Sequence, residues 1–209
     1  MRVAGIARGA WLLAALLLVS SAALAQGDGF SLAEVHSLDA GELVRRPIMR
    51  RRGGLTLIGG TSYQIVEQPV GATWEVLSDL DQYGRMLRSA EEVRVVSSDG
   101  ERAVLHIRHR YGPVHAQYHL RMALDHEAQA IRFRLDPRRP SDLRAAWGFL
   151  ETRPYGDGEH TLLTWGVMAD PGGGLLGGLI RGQIQGWMLE VPSDIRRFIH
   201  RRVPLAARR

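Results

Sequence analysis

The chain has 209 residues with 27 basic and 22 acidic side chains, a net charge of +5, 45% hydrophobic residues and no cysteine. That length and apolar content suit a single domain with a substantial core, and the absence of cysteine excludes a disulfide-stapled scaffold and a lipid-modified N-terminal cysteine. Every basic residue is arginine, and the clusters at Arg45–Arg46, Arg50–Arg52, Arg196–Arg197 and Arg201–Arg202 read either as a solvated face or as a contact for an anionic membrane surface. Nucleic acid is not an expected partner.

Arg2 and Arg8 precede an apolar run from Ala10 to Val19, and small residues follow up to Ala23-Leu24-Ala25. This layout predicts a cleavable secretory signal over residues 1–25, and hence a periplasmic or secreted protein. The run is too short for a spanning helix, which needs about 20 residues. Residues 26–54 read as an N-terminal extension. Ser31 and Glu34 have capping-box spacing before a short helical pattern, and "GELVRRPIM" is extended until Arg50–Gly54 breaks it.

Residues 55–205 read as one ligand-binding domain. Leu55 to Val66 is strand-like, with Gly59-Gly60 expected as a bulge or bend. A helix is predicted over 72–80, with Trp74, Val76 and Leu77 facing inward and Glu75 outward. Asp79 and Asp81 fall at its end, where short acidic side chains bond to nearby backbone N–H groups. Strands separated by turn signals then follow near 91–98, 101–110, 113–124, 129–136, 143–153 and 160–169, the signature of an antiparallel sheet.

In "AVLHIRHRYGPVHAQYHLRM" a turn at Tyr111-Gly112 would set 109 opposite 114 and 105 opposite 118. One face then carries Leu105, Ile107 and His109 with Ala116, Tyr118 and Leu120. The other carries His106, Arg108, His115, His119 and Arg121. Those histidines would sit on diagonals about 7–8 Å apart among arginines, so no metal site is expected. His109 is the titratable group on the apolar face, and Tyr118 shares that face. Further on, period two puts Leu143, Ala145, Trp147, Phe149 and Glu151 on one side of their strand, matched by Leu163, Trp165 and Val167.

Pro171 and the glycines after it punctuate the sheet. "GGGLLGG" lacks the Lys-Ser/Thr of a phosphate loop and reads as a hinge before the last helix. From Leu176 to Ile199, apolar residues recur at steps of three and four, among them Ile184, Trp187, Met188 and Ile195. Pro192 should kink or restart this helix. No nucleophile elbow, phosphate loop or zinc motif occurs, and no cofactor is expected.

The order of elements, with "ATWEVLSDLDQYGRML" followed by "EEVRVVSSDGERAVLHIR", resembles the START-like superfamily of polyketide cyclase/dehydrases, coenzyme Q-binding proteins and lipid-transfer proteins. Where members of that family have prolines after the tyrosine, this chain has Gly84 and Arg88. The resemblance implies an α+β helix-grip fold, in which a curved antiparallel sheet of about six to seven strands wraps a long C-terminal helix. It also implies a monomer holding a hydrophobic small molecule between sheet and helix, either as a binding or carrier protein for a lipid, isoprenoid quinone or polyketide-like molecule, or as a cyclase/dehydratase-type enzyme. The candidate cavity residues are His109 and Tyr118 on the first hairpin and Phe133, Trp147, Phe149 and Trp165 on the later strands. Ile184, Trp187 and Met188 complete the set on the helix.

Overall fold

The computed structural model describes residues 29–111, 114–172 and 178–202, so the expected signal segment 1–25 and most of the glycine hinge lie outside it. The elements run α1 (Leu32–Asp39), β1 (Val44–Arg52), β2 (Leu55–Val66), α2 (Val70–Ser78), a 3-10 turn (Leu80–Gln82) and α3 (Tyr83–Met86). They continue with β3 (Ala90–Ser98), β4 (Arg102–Tyr111), β5 (Val114–Asp125), β6 (Ala130–Leu135), β7 (Ala145–Tyr155), β8 (His160–Asp170), α4 (Gly178–Met188) and α5 (Val191–Arg202).

The strands form one curved, open antiparallel sheet in the order β1-β2-β8-β7-β6-β5-β4-β3. Hairpins run in sequence from β3 to β8, but β2 and β3 lie far apart in the sheet, so α2 and α3 carry the chain across one face. The main core lies on that face. It joins Trp74 and Leu77 of α2, Tyr83 and Met86 of α3, and Ile195, Phe198 and Ile199 of α5 to inward residues of β4 to β8. The sheet has eight strands because "VRRPIMRRR", read from sequence as an extended segment, pairs with β2 as an edge strand.

Of the bulge or bend expected at Gly59-Gly60, the bulge is absent, because the pairing of β2 with β1 and β8 runs through both without a slip. Their positive φ values of 150° and 140° favour glycine. A Cβ at Gly59 would lie 1.9 Å from the Val167 carbonyl oxygen, and one at Gly60 2.2 Å from that of Arg46. Two glycines therefore let three backbones approach more closely than side chains permit.

The opening helix starts two residues early, at Val70, and its end is made differently from the expected acid-to-backbone bonds. Asp79 accepts from the side chain of Gln82 at 3.0 Å, while the buried Tyr83 hydroxyl donates to the Leu77 carbonyl at 2.9 Å. A tyrosine thus satisfies one of the carbonyls that every helix end leaves open. Trp74 and Leu77 are buried and Glu75 is exposed, as the pattern indicates. At the C-terminus Pro192 restarts the helix: α4 stops at Met188, and α5 takes the proline into its first turn, where a missing N–H does not break a bond.

α1 packs against the opposite face of the sheet, at the end that β1 and β2 form. The Ser31/Glu34 capping box forms. Leu38, Val44, Ile65 and Leu162 make a small second core. Arg46 ties this layer together: its guanidinium reaches both oxygens of Glu34 at 2.8 and 2.9 Å, and lies 5.1 Å from the ring centroids of Phe30 and Tyr63. The hydrogen bonds from Arg46 and Ser31 hold the Glu34 carboxyl at about 2.

On the core side, α5 is tied to the same segment. Arg196 bonds both to Glu67 and to the Gly41 carbonyl, and His200 reaches Glu67 at 2.5 Å. Burial by itself would raise the Glu67 carboxyl, but Arg196 and His200 outweigh it and hold it at about 2. Among the described residues no helix is long and apolar enough to cross a membrane.

Candidate functional site

The concave face of the sheet does not pack flush against the helices. Between them lies a cavity of about 230 Å³, walled by β4 to β8 on one side and by α3, α4 and the start of α5 on the other. Its walls are side chains that the strand period turns inward: Leu105 and Ile107 of β4, Leu120 and Met122 of β5, Ile131 and Phe133 of β6, Ala146 and Leu150 of β7, and Trp165 and Val167 of β8. Ile184, Trp187 and Met188 of α4 close it. Trp165 fixes that closure by donating its indole N–H to the Met188 carbonyl at 2.8 Å, while its ring stacks on Phe133 at 4.9 Å.

The first hairpin contributes the polar part. Its register differs from the expected one, with His109 opposite Ala116, Ile107 opposite Tyr118 and Tyr111 opposite Val114. The exposed His115, assigned to the outer face, also borders the cavity, but the offset is two residues, and a shift of two preserves the alternation of faces. His109 and Tyr118 therefore both reach the cavity, where imidazole Nε2 lies 2.8 Å from the Tyr118 hydroxyl and Nδ1 lies 2.8 Å from the Ser89 carbonyl oxygen. Burial lowers the His109 pKa, opposed by the bond to Ser89, and burial pushes the Tyr118 phenol up. Ser89, His115 and Asp142 add further polar groups to the lining, beside the Tyr83 hydroxyl and the indole N–H groups of Trp165 and Trp187.

Seven of the nine candidate residues come together here: His109, Tyr118, Phe133, Trp165, Ile184, Trp187 and Met188. Trp147 and Phe149 do not, and this corrects the face assigned to β7. Ala146 and Leu150 point inward, while Trp147 is 43% exposed and Phe149 borders a separate pocket with Phe30 and Tyr63 on the opposite face.

The reason is steric. Gly148 stands opposite Phe133, and a Cβ there would come within 2.4 Å of the Phe133 ring; Gly166 stands opposite Phe149, and a Cβ there would come within 2.3 Å of that ring. Each phenylalanine lies over a glycine on its own face, so the large residues of β7 are not the inward ones. Tyr83, Met86 and Leu87, absent from the expected set, also line the cavity.

On the opposite face His106 and His119 are direct cross-strand partners rather than diagonal neighbours, with ring centroids 4.8 Å apart. Burial and the facing His119 lower the His106 pKa. Among the described residues no three His, Asp or Glu side chains converge as a metal site would require.

No curated protein matches the sequence. Solved structures share the fold. The Zhui aromatase/cyclase from a Streptomyces species is 16% identical with a TM-score of 0.59, covering 78% of this chain and 99% of its own. A STAR-related lipid transfer protein from Xanthomonas axonopodis is 12% identical with a TM-score of 0.58, covering 75% and 98%. A START superfamily protein from Mycobacterium smegmatis is 12% identical with a TM-score of 0.55, covering 68% and 97%. A family model described as polyketide cyclase / dehydrase and lipid transport matches residues 66–191, from the end of β2 to the start of α5. That span takes in all of the cavity lining except Ile195, and by it the chain belongs to the polyketide cyclase/dehydrase and lipid-transport family.

Proposed function

We propose that the protein binds and carries a hydrophobic small molecule in this cavity, as a monomer and outside the cytoplasm. The observation that carries the reading is the cavity itself: a space between sheet and helices, apolar nearly throughout, with a few polar groups. A lipid, an isoprenoid quinone or a polyketide-like molecule has the matching chemistry, and the STAR-related lipid transfer protein and the aromatase/cyclase supply precedents for the fold. Extraction of the purified protein with organic solvent, followed by mass spectrometry, should yield a co-purifying apolar compound. No extractable compound, together with no binding of quinones or lipids, would sink the proposal.

Export rests on the signal-like layout of residues 1–25. Fractionated cells should hold a mature form that begins at Gln26, whereas an intact N-terminus in the cytoplasm would contradict export.

The same molecule docks on anionic membrane. Arg50, Arg51 and Arg52 are exposed at the end of the β1–β2 hairpin and make no ion pair among the described residues, and Met49 beside them is 56% exposed. Arg144 donates to the Gly54 carbonyl at the hairpin turn, and the Thr56 N–H donates to Asp170, so this turn lies beside Pro171 at the cavity. Binding to vesicles rich in anionic lipid should collapse at high salt and in the triple Arg50→Ser, Arg51→Ser, Arg52→Ser variant. Salt-independent binding would contradict it.

A second reading, an enzyme of cyclase/dehydratase type, is favoured by the 2.8 Å contact of His109 with Tyr118 inside the cavity, a pair placed for proton transfer. Loss of turnover of a polyketide-like substrate in a folded His109→Ala protein would support it; absence of any turnover by the wild type counts against it.

A further inference from the structure

The hydrogen bonds of His109 run in one direction only. The Ser89 carbonyl oxygen accepts and cannot donate, so the 2.8 Å contact requires that Nδ1 carry the proton. In the neutral imidazole, the form that burial favours, Nε2 is then a bare lone pair. The Tyr118 hydroxyl, 2.8 Å from that nitrogen, must then donate its proton to it. Tyr118 therefore has no proton left for a ligand, and its oxygen offers only lone pairs. The carboxylate of Asp142, also in the lining, is likewise an acceptor, taking the Gln117 N–H at 2.8 Å. Tyr83 and Trp165 already donate to the Leu77 and Met188 carbonyls, and Ser89, Trp187 and the exposed His115 are the remaining polar side chains there.

From this wiring we infer that the Ser89–His109–Tyr118 relay is a specificity device: it selects, among apolar molecules of fitting size, those that bring a free hydroxyl to Tyr118. An alcohol or phenol donates to the waiting oxygen. An ether, ester or ketone of the same shape sets lone pair against lone pair and leaves a buried polar atom unpaired, a mismatch that lowers affinity about ten- to hundredfold. The inference rests on the binding function proposed above and names the ligand class of that cavity.

Naphthol, methoxynaphthalene and naphthalene, titrated into the full chain and followed by energy transfer from Trp165 and Trp187, separate the two ideas. The expected result is that naphthol binds at least about tenfold more tightly than its methyl ether. In Tyr118→Phe the two should bind alike while naphthalene is unaffected. Equal binding of naphthol and ether to the wild type, or a preference that survives in Tyr118→Phe, overturns the relay but leaves the carrier function standing. Binding of none of the three overturns both. Nitrogen NMR of His109 gives a measurement that needs no variant: protonated Nδ1 with bare Nε2 is expected, and the opposite tautomer refutes the wiring.

Discussion

Two glycines on opposite faces of the same sheet give a matched pair of substitutions. At Gly148 an added methyl would lie 2.1 Å from the Gly166 carbonyl oxygen and 2.4 Å from Cζ of Phe133. The carbonyl belongs to the sheet backbone and cannot retreat, and Phe133, 7% exposed and stacked on Trp165, can yield only towards the cavity. At Gly166 the three nearest atoms to the methyl all belong to the Phe149 ring, the closest 2.3 Å away at Cε1, and that ring is half-buried on the outer face beside the second pocket, which gives it room to yield.

Overpacking in a closed site costs about 1–3 kcal/mol, offset by about 0.4–1 kcal/mol for stiffening the unfolded chain. Gly148→Ala is assigned the upper part of that range and Gly166→Ala the lower. At roughly 2–4 °C per kcal/mol for a chain of this size, Gly148→Ala should lower Tm by about 4–10 °C, and Gly166→Ala by about 4 °C or less. Only Gly148→Ala should also weaken ligand binding, because Phe133 must move into the cavity. Scanning calorimetry and a fluorescence titration of each variant measure both effects. Equal losses of Tm, or undiminished binding in Gly148→Ala, would refute the account of how the glycines shape the site.

The Glu67–Arg196 pair makes folding pH-dependent. A carboxyl held at about 2 rather than 4.5 contributes stability that is present above pH 4.5 and lost as the pH falls towards 2. Urea denaturation of Arg196→Met should show a deficit of about 1–2 kcal/mol at neutral pH, allowing for partial solvent screening, that shrinks in acid; a deficit independent of pH would contradict the linkage. Tyr83→Phe leaves the Leu77 carbonyl without its buried partner and should cost about 1–3 kcal/mol in the same assay, and an unchanged midpoint would remove the tyrosine from its role at the helix end. Trp147→Ser should leave ligand affinity unchanged, whereas Trp165→Phe, which loses the bond to Met188, should weaken it severalfold; the reverse order in a binding titration would return Trp147 to the cavity.

Much of this architecture was legible in residue order, because turn signals such as Ser98-Asp99-Gly100 and the period of the strands between them are local properties. Face assignment on the first hairpin survived a two-residue error in register because parity is all that decides it. On β7 parity had to be guessed from side-chain size, and size misled. A strand facing a cavity needs small residues inside, and Gly148 is small because Phe133 from the neighbouring strand fills the space above it. Such pairing depends on which strands become neighbours, and no local pattern carries it. For the same reason Tyr83 and Met86 looked like a helix stop, and only the crossing of α2 and α3 over the sheet brings them into the wall.

Photocrosslinking locates an occupant directly. An alkyl alcohol carrying a diazirine, irradiated with the purified protein and mapped by peptide mass spectrometry, should label the inward residues of β4, β5 and α4, among them Tyr118, Trp187 and Met188. Label confined to the outer face around Trp147 and Phe149, or no label that excess unmodified alcohol competes away, would contradict the claim that this cavity holds the ligand.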